Sequence, residues 1–190
     1  MDVSRSSRLS PSFEIVLAVY LLGLLSAAAV YWFYQQGYLL YYGDAASHLN
    51  IARRIVDSRT PGFAQIGTVW LPLPHLLMLP LVGSDALWRS GLAGAIPSAL
   101  CFVIGGAFLF AAVRSISESR LVATTAVAMF AFNPNVLYLQ SIPMTESVWF
   151  GCFFALIYFT VRFRRRQSVW SVLGAAVALM AAKPTLNISP

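Results

Sequence analysis

The chain has 190 residues, 58% of them hydrophobic and 11% charged, and its mean hydropathy is +0.71. A soluble domain is about half apolar and about a quarter charged, so this balance excludes an ordinary soluble enzyme or binding module and reads as an integral membrane protein. The net charge of +6 does not point to nucleic acid, because the basic residues cluster at the ends of apolar runs with no interleaved aromatic stripe; that is the pattern of the positive-inside bias.

In chain order, residues 1–12 form a polar tail carrying Arg5 and Arg8, expected on the cytoplasmic side. Phe13 to Tyr34 is a first span, long enough for the hydrocarbon core. Ala27-Ala28-Ala29 resembles a signal-peptide cleavage site. The apolar run is longer than a signal core, however, and ends in the interfacial belt Tyr31-Trp32-Phe33-Tyr34, so an uncleaved helix is expected. Residues 35–91 read as the first external loop. It holds the most polar long stretch, YYGDAASHLNIARRIVD at 41–57, with a short amphipathic helix over Ala45–Ser58 stopped by Thr60-Pro61-Gly62. Next comes GTVWLPLPHLLMLPLV at 67–82. Pro72 and Pro74 are expected to break any regular helix there, and unpaired backbone does not face lipid, so the segment reads as re-entrant or interfacial.

Leu92 to Val113 is the second span. Gly94, Ala95, Ser98, Ala99, Gly105, Gly106 and Ala107 give it small residues that allow close helix packing. After a short charged loop from Arg114 to Arg120, Leu121 to Phe132 opens a third span, which reaches the break Asn133-Pro134-Asn135. Residues 136–147 read as a second external loop containing Glu146. Val148 to Val161 is a short fourth span, followed by the basic cluster RFRRR at 162–166, and Trp170 to Ala182 starts a fifth. Cys101 and Cys152 lie inside apolar spans with no CxxC spacing and read as small core residues. The fold class is therefore all-α and multi-pass, a single transmembrane domain over 1–190 with about five spans.

Orientation follows from the arginines. If 67–82 does not cross, then Arg5 and Arg8, Arg114 and Arg120, and RFRRR all share the cytoplasmic side, as the positive-inside rule requires. The consequence is that Asp44, His48, His75, Glu146 and Lys183 all converge on the external rim. This shared side points to a site there, and it rests on no single motif.

Within 41–57, a helical wheel at roughly 100° per residue places Asp44 and His48 in or beside the apolar arc of Ala45, Leu49, Ile51, Ala52, Ile55 and Val56. Arg53 and Arg54 lie opposite. A carboxylate turned inward needs a partner, a hydrogen bond or a metal. Asp44 as an N-cap after Gly43, with His48 a satisfied polar group, is the structural alternative. For chemistry, a carboxylate can accept the proton of an attacking hydroxyl. Asp44, His48 and Glu146 suit a divalent ion such as Mn²⁺ or Mg²⁺ only loosely. Arg53, Arg54, His75 or Lys183 can instead neutralise a leaving phosphate. Arg53 and Arg54 also fit a plain solvated face near lipid head groups, and RFRRR reads as a topology determinant.

The order of GDAASHLNIARR in the first loop, then GTVWLPLPHLLMLP, then NPNVLYLQSIPMTE before a later span resembles the N-terminal part of the GT-C superfamily of membrane glycosyltransferases. It is most similar to the prokaryotic branch related to protein O-mannosyltransferases and aminoarabinose transferases, over roughly residues 13–184. The resemblance implies transfer of a sugar from a polyprenyl-phosphate donor at an inverting site on the outer face of the cell membrane. It makes Asp44 the catalytic acid of the first loop, acting as base or metal ligand, and Glu146 of the MTE block a second acid. His48, His75, Glu146 and Lys183 are then candidates for substrate binding. Two departures stand out. Asp44 is followed by Ala45 where members usually carry an acidic pair, and members are considerably longer. The chain is accordingly expected to be a fragment, a truncated product or half of a split enzyme, with a second chain supplying the rest. Two other readings compete. One is a non-catalytic membrane subunit that binds a lipid carrier or partner chain. The other is a small transporter, which the nearly charge-free spans and the lack of a repeat disfavour.

Overall fold

The computed structural model describes residues 10–66 and 72–182. Most of the tail at 1–12, the GTVWL part of 67–82, and Lys183 with the residues after it lie outside the described residues. Helices account for every regular element among the described residues apart from a short 3₁₀ turn at Phe63–Ile66. They are α1 (Pro11–Gln35), α2 (Gly43–Val56), α3 (Pro72–Val82), α4 (Asp85–Ser90), α5 (Leu92–Ser117), α6 (Arg120–Ala131), α7 (Pro134–Gln140), α8 (Glu146–Arg166) and α9 (Val169–Ala181). The chain is an all-α, multi-pass membrane protein.

Three of these helices, α1, α5 and α8, are long and apolar enough to cross a membrane. A fourth crossing exists if α6 and α7, bent by 67° at the Asn133-Pro134 break, count as one. The last apolar helix, α9, runs for 13 residues up to the edge of the described region. The described residues thus supply three or four full crossings where about five were expected. α8, the fourth span of the sequence reading, is longer than expected, because the sequence RFRRR continues its last turns instead of standing outside it. Cations in that position are favoured by the negative C-terminal end of a helix.

α5 is the central pillar, packed by α1, α6, α8 and α3. Its small residues explain how. A Cβ built on Gly105 would lie 3.1 Å from the Gly151 Cα, so α5 and α8 cross backbone to backbone. A Cβ on Gly94 would collide with the Pro143 ring, which seats the 141–146 segment against the first turn of α5. Leu22, Phe102, Phe110, Ala123, Val127 and Ala131 form the core between α1, α5 and α6. Phe130 stacks on Phe102 and meets Phe154 edge-on, both with ring centres 5.2 Å away.

Two sets of contacts fix which helix ends lie together. Glu14, near the start of α1, is buried. Its carboxylate lies 3.2 Å from the Arg114 Nε at the end of α5 and 2.5 Å from the Arg120 Nε at the start of α6. Arg165, at the end of α8, reaches Glu118 at 3.5 Å. At the opposite end, Gly91 adopts a left-handed backbone (φ 84°) in direct contact with Leu39 and Leu40. The end of α1 and the start of α5 therefore stand side by side, and the segment between them, α2 to α4, does not cross the bundle.

The proline-rich segment differs from expectation. Pro72 and Pro74 begin α3 instead of breaking it. The first four N–H groups of a helix have no intrahelical acceptor, so a proline there gives up nothing. The 136–147 stretch likewise contains α7, with Pro134 at its first turn and the Asn133 side chain accepting from the Asn135 and Val136 amides. The short α4 carries no signal that the sequence reading used.

Candidate functional site

The loop between α1 and α5 folds into a cap. α2 is amphipathic as expected: Ala45, His48, Leu49, Ile51, Ala52 and Ile55 are buried. Leu49 and Ala52 pack on Met78 and Val82 of α3 and on Ala93 of α5. Ala45 packs on Ile142 and Met144. The Ser98 hydroxyl donates to the Met144 carbonyl at 3.2 Å. The first turn of α2 and the segment leading into α8 are thereby locked together.

This locking places the predicted residues. Asp44 stands in the first turn of α2 next to the fully buried Ala45, and is itself exposed. The inward placement expected from the wheel is thus corrected. The wheel treats a helix as a cylinder buried along its whole length, whereas α2 begins at the open rim and is covered only from Ala45 onward. Asp44 is not an N-cap either, since Tyr42 holds that position without a side-chain bond. Its carboxylate still gains from the positive end of the α2 dipole.

His48, one turn on, is buried. Its Nδ1 lies 3.0 Å from the Nε2 of His75, also buried, with ring centres 5.1 Å apart. One ring must donate across this contact and the other accept, so at least one imidazole is neutral. Burial first, and His75 second, lower the His48 pKa to about 4, while Asp44 pulls it the other way. The pair is thus a hydrogen-bonded strut between α2 and α3, with His48 held in its neutral form.

Glu146 occupies the first turn of α8. Its Oε2 is buried with no hydrogen-bond partner among the described residues. A sealed carboxylate oxygen without a donor is costly. The local compensation is the helix N-terminus on which it sits. The structure therefore brings Asp44, the His48–His75 pair and Glu146 to one end of the bundle. Lys183 lies outside the described residues. Among the described residues no group of three or more His, Cys, Asp or Glu side chains is placed to hold a metal ion. Asp44, His48 and Glu146 do not form a ligand cage.

Arg53 behaves differently from a solvated or lipid-facing residue. Its guanidinium bonds Asp57 and Asp85, each at 2.7 Å, donates to the Val82 carbonyl at 2.8 Å and to the Gly83 carbonyl at 3.3 Å, and lies over the Trp88 ring. It clamps the end of α3 to α4 and is not available for a phosphate. Arg54 is exposed.

Two buried polar groups escaped the sequence reading. One is the Glu14 cluster; the signal was an acid one turn into an apolar span, on the side where the arginines gather. The other joins α1 to α7: Ser26 donates to the Gln140 Oε1 at 2.6 Å and Gln140 donates to the Ser141 hydroxyl at 2.6 Å. At the same end as Asp44, an apolar cleft of about 460 Å³ opens between α1 and α5, lined by Ala27, Val30, Tyr34, Leu92, Ile96 and Leu100 among others.

The family model described as dolichyl-phosphate-mannose-protein mannosyltransferase matches residues 84–185, more than half of the chain. The match takes in Glu146 and Lys183 and begins after α3, so it is narrower than the resemblance read from the sequence. No curated protein and no solved structure matches the chain.

Proposed function

We propose, from the premise that the chain belongs to the dolichyl-phosphate-mannose-protein mannosyltransferase family and is on that ground a membrane glycosyltransferase of GT-C type, that it moves a sugar from a polyprenyl-phosphate donor to an acceptor hydroxyl on the outer face of the plasma membrane. The arginine-rich end and the N-terminus then face the cytoplasm, as the positive-inside bias dictates. The observation that carries this reading is the packing of Ala45 on Ile142 and Met144, because it holds the Asp44 turn beside the segment that delivers Glu146.

The chemistry assigns Asp44 the proton. Its carboxylate is exposed where an acceptor can approach. It takes the hydroxyl proton as the acceptor oxygen bonds the anomeric carbon and the bond from that carbon to the donor phosphate oxygen breaks, releasing polyprenyl phosphate. Glu146 is half-buried at the start of α8 with its Oε2 sealed, so it can offer a sugar hydroxyl only its other carboxylate oxygen. The apolar cleft between α1 and α5 offers the prenyl chain a berth at the same level. The His48–His75 pair holds α2 against α3 and positions Asp44 without touching substrate.

The test is release of polyprenyl phosphate from a supplied polyprenyl-phosphate sugar, in membranes carrying the chain, with and without EDTA. Release that depends on Asp44 supports the reading, and loss with EDTA would add a divalent cation. A second reading, a membrane subunit that holds a lipid carrier or a second chain without chemistry, is favoured by the open setting of Asp44. The apolar cleft at this end is not lined by it. Carrier binding with no release, in wild type and Asp44→Asn alike, would decide for that reading.

A further inference from the structure

The most basic feature of the molecule lies at the end opposite Asp44. Arg114 and Ser115 of α5, Ile15 of α1, and Tyr158, Arg162, Arg165 and Arg166 of α8 line a crevice of about 380 Å³. The sequence accounts for these arginines as topology determinants, but that role needs charge on one side and no common cavity. The fold brings together side chains from residues 114 and 162–166, with Phe110 and Ala111 forming an apolar wall.

The charges facing the crevice do not cancel. Arg114 has Glu14 as a neighbour at 3.2 Å, and Glu14 is shared with Arg120. Arg165 has the exposed Glu118 at 3.5 Å. Arg162 and Arg166 make no ion pair among the described residues; Arg162 donates to the Tyr158 hydroxyl at 3.1 Å. Four guanidinium groups thus face two carboxylates, one of them already divided between two arginines. A guanidinium fork is matched to a phosphate, bidentate and planar. A crevice with arginines at its mouth and apolar residues behind them suits a phosphate that carries acyl chains.

We propose that this crevice binds the phosphate group of an anionic membrane lipid, in the leaflet at the arginine-rich end. Basic pockets between membrane helices are sites of this kind, and each cation near the anionic surface adds to the attraction. The bound group would bridge the arginine-rich ends of α5 and α8 and steady the pillar on which the outer site is built.

The test uses the full chain in detergent, titrated with short-chain phosphatidylglycerol, short-chain phosphatidylcholine or inorganic phosphate, read by native mass spectrometry and by the thermal midpoint. Phosphatidylglycerol should bind in preference to phosphatidylcholine and raise the midpoint, while phosphate at the same concentration does neither. Arg162→Gln/Arg166→Gln should weaken phosphatidylglycerol binding by on the order of tenfold or more. Arg162→Lys/Arg166→Lys, which keeps the topology-setting charge but loses the planar fork, should bind phosphatidylglycerol more weakly than the wild type and more tightly than the glutamine pair. Equal binding of phosphatidylcholine by the wild type overturns the proposal, and that readout does not depend on any variant folding. Phosphatidylglycerol binding unchanged in the glutamine pair also overturns it. Stabilisation by inorganic phosphate alone would assign the crevice to a soluble anion and overturn the lipid.

Discussion

Asp44 and His48 sit one turn apart on the same helix and end in opposite environments. The turn that carries Asp44 is open, and the turn that carries His48 is closed by α3. Asp44→Asn keeps shape and burial and removes the proton acceptor. Transfer should fall by about 10²–10⁴-fold, the usual weight of a general base, with membrane insertion unchanged; the polyprenyl phosphate release assay measures the first and protease protection the second. His48, buried against His75, predicts a pH dependence. The folded pKa of His48 is about 4, below the ordinary value near 6.5. Between these values the unfolded chain takes up a proton that the folded chain refuses. His48 therefore carries no penalty above about pH 6.5, and stability falls as pH drops toward 4, at up to about 1.4 kcal/mol per pH unit. His48→Gln, which cannot charge, should flatten that fall in the thermal midpoint measured from pH 7 to 4.5.

At the scale of elements, the joints are made by contacts that spacing alone does not reveal. Gly94 faces the rigid Pro143 ring, 2.4 Å from where its Cβ would stand, while Gly106 faces the flexible tip of Leu22 at a similar 2.5 Å. Gly94→Ala should therefore displace the segment that holds Met144 and Glu146, costing about 1–3 kcal/mol as overpacking does and lowering transfer. Gly106→Ala should be absorbed by a turn of the Leu22 side chain. Comparing the two thermal midpoints separates rigid from yielding neighbours. Arg53 is the second joint. Arg53→Gln removes the bonds to Asp57 and Asp85 and the guanidinium bonds to the Val82 and Gly83 carbonyls. Amide exchange should then quicken in α3 and α4 and stay unchanged in α5 and α8. The helices themselves were legible at this scale: α1, α2, α5, α6 and α9 start and stop within a few residues of where apolar runs and turn signals put them. α3 and α7 were obscured because their prolines were weighed as interior breakers, and a proline in the first turn is a helix starter.

The whole molecule is polarised. One end gathers Glu14, Arg114, Arg120 and the arginines of α8; the other gathers α2 to α4, α7 and the residues proposed to act on the sugar. With native cysteines replaced, Arg59→Cys, at an exposed position, should react with a membrane-impermeant maleimide added outside intact cells, and Ser168→Cys should react only after permeabilisation. The reverse pattern would move the site to the cytoplasmic face. The fold supports the polarity without a membrane present, since the Glu14–Arg114–Arg120 cluster and the contact of Gly91 with Leu39 and Leu40 set which helix ends meet.

The sequence by itself determined that this is a multi-pass helical membrane protein, where its longest apolar helices run, and that Asp44, His48, His75 and Glu146 share one side. Those properties are set by composition along the chain: hydrocarbon needs a continuous apolar run, and charge placement needs only counting. The family was legible for the same reason, since blocks in a fixed order survive as strings. Only the tertiary structure decided what each polar side chain meets. That Asp44 is open while His48 is paired with His75, that Arg53 clamps and does not bind, that Glu14 is buried among arginines, and that the α8 arginines share a crevice with Arg114 all depend on contacts between residues tens of positions apart. Such contacts arise where helices approach closely, and the closeness comes from Gly94, Gly105 and Gly151, whose missing side chains leave no mark on hydropathy and appear only when two backbones are seen to touch.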